Sequence, residues 1–154
     1  MDIELFRRLC ETPGIPGREE RVRALIAKET KGLYDTTSTD AMGSLIAVRK
    51  PTRKGGKGAS PVRVMLAAHM DEIGFFVRHV DENGCIWVNP AGGFDTRNLF
   101  ASRVLVCTPK GDFKGVMNPG GKPIHISSDA ERSKVPGTEE IGRASCRERV
   151  FSSV

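Results

Sequence analysis

The sequence predicts an α/β fold: helices and strands share the first 72 residues, and short strands without intervening helices come after them. Three observations predict it. Apolar residues recur at helical spacing twice near the amino terminus, in Leu5, Phe6 and Leu9 and again in Val22, Leu25 and Ile26. An apolar run, Val62-Arg-Val-Met-Leu-Ala-Ala68, reads as a core strand. From Ile73 onward, strand-like segments recur at hairpin spacing, separated by Asp81-Glu-Asn-Gly84, Pro90-Ala-Gly-Gly93 and Pro109-Lys-Gly-Asp112. That pattern is the signature of a small β-barrel.

Taken in order, Asp2 is placed to cap a first helix, which Thr12-Pro-Gly-Ile-Pro-Gly17 ends. A second helix starts near Arg18, with Glu19 and Glu20 in the first turn, where the helix dipole favours anions; Lys31-Gly32 closes it. Strands come next at 33–39 and 44–49 around the turn Asp40-Ala-Met-Gly43, and then the strand ending at His69. The later strands fall at 75–80, 85–89, 103–108 and 113–117. A domain boundary is expected near 71–74.

Composition narrows the function classes. With 154 residues, 38% hydrophobic and 28% charged, the chain suits one soluble globular domain, or a small domain plus part of another. No stretch approaches the roughly 18 apolar residues of a membrane helix, and the amino terminus lacks the basic and apolar regions of a secretion signal. A cytoplasmic protein with no membrane partner is expected. Four scattered cysteines, Cys10, Cys85, Cys107 and Cys146, form no CxxC pair and read as free thiols of a reducing compartment.

The formal charge of +5 suggests nucleic acid until it is located. Arg49, Lys50, Arg53, Lys54 and Lys57 crowd one Gly-rich loop, and three arginines fall in the last fourteen residues. The rest of the chain is slightly acidic. No aromatic residue interleaves with the basic loop, so it reads as a solvated hairpin tip, and no nucleic-acid partner is expected.

His69-Met-Asp71 carries the chemistry. In extended backbone, residues i and i+2 point to the same side. The imidazole can bind a metal while the carboxylate holds its other ring nitrogen or guides a water, and ligand sites of open α/β sheets lie at the carboxyl ends of strands. Taken alone, the triplet fits equally a strand-end histidine hydrogen-bonded to its neighbour. The small residues Ala67 and Ala68 before it and the turn Glu72-Ile-Gly74 after it favour the metal reading. Other signals are structural: His125 reads as a loop histidine packed on the barrel, His79 as a surface residue and Trp87 as core or rim. Gly92-Gly93 and Gly120-Gly121 are turn glycines, since neither opens a helix. No serine or cysteine nucleophile with a matched base stands out.

Several words of this sequence together resemble one family. They are Thr12-Pro-Gly-Ile-Pro-Gly17, Asp40-x-x-Gly-x-Leu-Ile-Ala47, Ala67-Ala-His-Met-Asp-Glu-Ile-Gly74, Asn89-Pro-Ala-Gly-Gly-Phe-Asp95 and Pro123-Ile-His-Ile126. The chain resembles the tetrahedral aminopeptidases, the glutamyl and deblocking family of dinuclear metallopeptidases, from residue 2 to about 140. Ser44 departs from the asparagine usual there. The resemblance implies the amino-terminal part of a zinc-peptidase-like α/β domain over 1–72, followed by an inserted β-barrel (PDZ-like) dimerisation domain, incomplete, over 73–140. It implies His69 as one ligand of a metal pair and Asp71 as the catalytic-site carboxylate that holds its ring. It further implies two divalent ions, zinc or cobalt, peptide substrates cleaved beside a free amino terminus, and self-association into dimers and larger particles.

The resemblance also places a bridging aspartate, a glutamate base, two acidic ligands and a second histidine beyond the insert, outside this chain. A single histidine with one supporting aspartate does not hold two ions, so the expectation is an inactive piece of an active parent. Residues 141–154, which begin Ile141-Gly-Arg-Ala-Ser-Cys-Arg-Glu-Arg-Val150, resemble a translated DNA-sequencing adapter; they are expected to be a non-native scar and are left out of the fold reading. The alternative function class is a non-catalytic assembly or binding module whose working part is the β-barrel. A glycosidase is disfavoured, because no carboxylate pair can be assigned to opposite faces of a sugar bond.

Overall fold

The computed structural model describes residues 2–52, 62–118, 124–135, 137 and 143–146. It divides into two units, Met1–Glu72 and Ile73–Val154.

In the first unit, α1 (Ile3–Glu11) begins where the Asp2 side chain accepts from the Leu5 amide at 3.1 Å, as the sequence anticipates. It ends at Thr12, which turns extended before the Pro-Gly loop. α2 (Glu20–Glu29) starts two residues later than expected, because Arg18 is bridged back to Ile15 within the loop. An Arg8–Glu29 ion pair joins the two helices. Val22 is the buried anchor of α2. A Cβ on Gly14 would lie 2.7 Å from Val22 Cγ1, so only glycine lets the loop approach the helix this closely. β1 (Thr36–Thr39) and β2 (Leu45–Val48) form an antiparallel hairpin, shorter than the expected strands. Asp40 builds its turn, its Oδ1 accepting from the amides of Met42 and Ser44 at 2.9 and 2.8 Å.

One expectation fails here. Residues 62–68 form no strand among the described residues, and are exposed rather than buried. An apolar run becomes a strand only when a neighbour supplies main-chain partners, and the described part of this unit offers none. The basic loop expected at 49–57 falls mostly outside the described residues.

The second unit is an antiparallel sheet of five strands. β3 (Gly74–Val80), β4 (Cys85–Ala91), β5 (Arg103–Thr108), β6 (Gly111–Asn118) and β7 (Arg143–Cys146) are ordered β3-β4-β7-β6-β5. Asp81 organises the first hairpin turn, its Oδ1 accepting from the amides of Asn83 and Cys85. The core gathers Leu99 and Met117, with Phe75, Val88, Phe94 and Val104 packed against them. Phe75 stacks on Phe94 with ring centroids 4.4 Å apart. Gly92 has φ +101°, and a Cβ there would lie 2.6 Å from Ile73 Cγ2. A short helix, α3 (Asp129–Ser133), carries a capping box between Ser128 and Glu131.

Residues 143–146, left out of the fold reading of the sequence, pair as β7 with both β4 and β6. The physical reason is that ladder hydrogen bonds are made by the main chain, so an extended segment can complete a gap between two strands whatever its origin. Gly120, Gly121 and Pro123 lie outside the described residues; His125 sits exposed on a 3₁₀ turn, Ile124–Ile126, rather than packed.

Candidate functional site

The site is built from three pieces of the first unit. The Pro-Gly loop fixes the first: the Gly14 carbonyl, held beside Val22, accepts from the Glu72 amide at 2.8 Å. That bond pins the chain immediately after Asp71. The second piece is the Asp40–Gly43 turn. Arg23 of α2 donates from its guanidinium to the Gly43 carbonyl at 2.8 Å, tying the turn to the helix. Gly43 takes φ +89°, which glycine alone adopts without strain. The third piece is the segment 67–71 itself.

Between them lies an open cleft of about 610 Å³, lined by Glu19 and Ile26, by residues 42–45 and by residues 67–71. His69 and Asp71 stand together on its wall. His69 Nδ1 meets Asp71 Oδ1 at 2.9 Å. The carboxylate accepts, so Nδ1 carries the ring proton and Nε2 is left for another partner. The His69 side chain is 91% exposed and Asp71 33%. The hydrogen bond to Asp71, reinforced by its charge, raises the His69 pKa above the ordinary imidazole value. The same bond to His69, helped by a backbone amide, lowers the Asp71 carboxyl below its usual range. Such a ring, fixed in orientation and made more basic, is how proteins present imidazole to a metal.

The donor set tests how much metal the site can hold. His69 fits one ligand position. Among the described residues, no group of three or more His, Cys, Asp or Glu side chains converges to complete a site. The described residues therefore fit a single arm of a metal centre and not two ions.

Comparison with known proteins decides the family. A model of the M42 glutamyl aminopeptidase family matches residues 43–142. The chain belongs to the M42 glutamyl aminopeptidase family. This M42 chain is 36% identical over 132 residues to a lysyl aminopeptidase of Pyrococcus furiosus, an alignment that takes in 85% of this chain and 35% of the relative. Among solved structures, a TET aminopeptidase from a marine sediment archaeon of the Thaumarchaeota superposes with a TM-score of 0.78 at 31% identity, over 93% of this chain and 39% of the other. A Pyrococcus horikoshii TET1 peptidase, described as assembling into a tetrahedron or a large octahedral shell, gives 0.74 at 30% identity, over 93% and 39%. The M42 chain thus spans roughly a third of the length of the curated relative it matches.

The sequence points to His69 and Asp71, and the structure brings them within hydrogen-bonding distance. It leaves His125 and His79 elsewhere: both belong to the second unit, where His79 stacks on Trp87 at 5.6 Å and Trp87 Nε1 donates to Asp81 at 3.2 Å. What sequence reading missed is the rest of the lining, with Glu19 and Gly43, and the Arg23–Gly43 bond behind it. Asp40-x-x-Gly signals the turn, but a contact between residues 23 and 43 is tertiary and leaves no local pattern. Among the described residues, no helix is long and apolar enough to cross a membrane.

Proposed function

We propose that this chain is the amino-terminal part of a metal-dependent aminopeptidase, which hydrolyses the peptide bond beside a free amino terminus, and that it is inactive alone. The observation that carries the reading is the His69–Asp71 pair, exposed on a cleft inside a segment that matches the M42 family. In this reading Asp71 fixes the imidazole and keeps Nε2 outward as one ligand of a zinc or cobalt pair. A divalent ion bound there would supply Lewis acidity toward the peptide carbonyl and lower the pKa of water. Glu19 and the 42–45 turn shape the wall facing the ligand. The remaining ligands and the general base come from polypeptide beyond this chain, in keeping with the third of a relative's length that it spans.

The rest of the reading comes from the same parent. It is cytoplasmic, acts on peptides, and self-associates through the second unit, a barrel-like insert that forms dimers and then larger particles. Residues 141–154 are a non-native tail that β7 borrows for main-chain pairing. The assembly-module alternative is not favoured, because the family match includes the His69–Asp71 segment as well as the sheet.

The test is the release of amino acids from short peptides. Purified 1–154 with zinc or cobalt is expected to release none, whereas the product of the intact gene is active, loses activity to a chelator, and loses it again in a His69→Ala variant. Turnover by 1–154, or a fully active His69→Ala parent, sinks the reading.

A further inference from the structure

The chain has four asparagines, and their chemical lability depends on the residue that follows each. Pro90 and Pro119 follow Asn89 and Asn118, so no backbone N–H stands next to either. Leu99 follows Asn98, and is buried at the end of the 3₁₀ turn Thr96–Leu99. Only Asn83 precedes a residue without a side chain, Gly84.

The pair sits in the first hairpin turn of the second unit. Asn83 is exposed. Its backbone amide donates to Asp81 Oδ1 at 3.0 Å, while among the described residues no hydrogen bond holds its side-chain amide. Gly84 has φ +77°, and a Cβ there would meet nothing within 4 Å, so nothing crowds the main chain beside Asn83. One contact opposes reaction: the Gly84 amide donates to the Asp81 carbonyl at 2.9 Å while the turn is closed.

We propose that Asn83 is the deamidation site of this chain, and that opening of the Asp81 turn sets its rate. The Gly84 nitrogen gives up its proton and bonds to the Asn83 side-chain carbonyl carbon. The bond from that carbon to the side-chain nitrogen breaks, and ammonia leaves. Water, the only co-reactant, then adds to either carbonyl of the cyclic imide and reopens it to aspartate or isoaspartate. The product places a new carboxylate beside Asp81 and Glu82. As isoaspartate it also lengthens the main chain by a methylene. The turn it enters is closed by the Asp81 amide donating to the Cys85 carbonyl at 2.9 Å, and by the Cys85 amide donating to Asp81 Oδ1 at 2.8 Å. Those bonds start the β3–β4 ladder, so the modified turn loosens that end of the hairpin. The site is independent of the peptidase reading.

Purified 1–154, held at fixed pH and temperature in heavy-oxygen water and peptide-mapped by mass spectrometry, tests it. Asn83 is expected to convert first, incorporating heavy oxygen and giving isoaspartate in excess of aspartate, while Asn98 persists. Unfolding in guanidinium should speed conversion at Asn83 several-fold, because the Asp81 carbonyl no longer holds the Gly84 proton. In guanidinium, where folding plays no part, Gly84→Ala should slow it many-fold. Hydrogen exchange at Cys85 should rise several-fold in the aged folded protein. Conversion at Asn98 before Asn83, no isoaspartate at residue 83, equal rates folded and unfolded, a wild-type rate in Gly84→Ala, or unchanged exchange at Cys85 each overturns the proposal.

Discussion

The Gly43 carbonyl receives the Arg23 guanidinium at 2.8 Å, and through that bond α2 holds the turn that lines the same cleft as His69. The contact is half-buried and charge-assisted, so it is worth more than an exposed pair. Arg23→Ala should cost about 1–2 kcal/mol of stability, measured by urea unfolding. It should also raise hydrogen exchange at Met42 and Ser44, whose amides bond to Asp40. An Arg23→Ala protein with unchanged exchange in that turn would separate the helix from the cleft wall.

The His69–Asp71 bond sets a pH window. His69 is raised, so its share of the pair's stabilisation is complete below the ordinary imidazole pKa and fades as pH climbs through the raised value. Asp71 is lowered, so its share is complete above the ordinary carboxyl pKa and fades as pH falls through the lowered value. Between those two limits both groups are charged and paired. Proton NMR titration should place His69 above the usual imidazole midpoint, and Asp71→Asn should bring it down. An unmoved His69 midpoint in Asp71→Asn would show that the pair is not formed in solution.

Two adjacent glycines should respond in opposite ways. Gly92→Ala puts a Cβ 2.6 Å from Ile73 Cγ2 at φ +101°, and should cost about 2–3 kcal/mol in thermal or denaturant unfolding. Gly93→Ala meets nothing within 4 Å and is not in the left-handed region, so it should be neutral or slightly stabilising. Equal effects at the two positions would contradict the packing of Ile73.

Ala101 is a non-glycine residue at φ +56°. Its amide donates to the Met117 carbonyl at 3.0 Å, and the Met117 amide donates to Ser102, so the left-handed turn is held by the core strand β6. Ala101→Gly should relieve the strain, and raise stability by up to about 1 kcal/mol, less the entropy glycine brings to the unfolded chain. A lower melting temperature would show that the turn is unstrained.

Ending the chain at Glu140 removes β7. β4 and β6 each lose a ladder partner, from Cys85–Trp87 and from Gly115–Asn118. Amide exchange in those two segments should speed up far more than in the β3–β4 pairing at Gly74–Val77, which β7 does not touch. Uniform protection after truncation would mean that β7 contributes nothing to the sheet.

Legibility from sequence followed the range of the forces involved. Asp2 capping α1, the Asp40 turn and the Asp81-to-Gly84 turn are local hydrogen-bond chemistry, and each was readable from a few neighbouring residues. The pairing of His69 with Asp71 was readable too, since two residues of extended chain set it. The strand expected at 62–68 was not realised, because strand formation depends on partners that no window of its own sequence contains. The pairing of 143–146 with β4 and β6 is made by the main chain, which asks little of side-chain identity and so leaves no pattern to read. Arg23 and Gly43 meet only after α2 and the hairpin are placed.

Trp87 is the sole tryptophan of the chain, half-buried on β4 between the His79 ring and the Asp81 carboxylate. Indole emission therefore reports on the second unit alone, leaving the His69 cleft optically silent. Unfolding followed by fluorescence and by circular dichroism will weigh the two units differently. Any gap between the two curves then measures how independently each half of the chain melts.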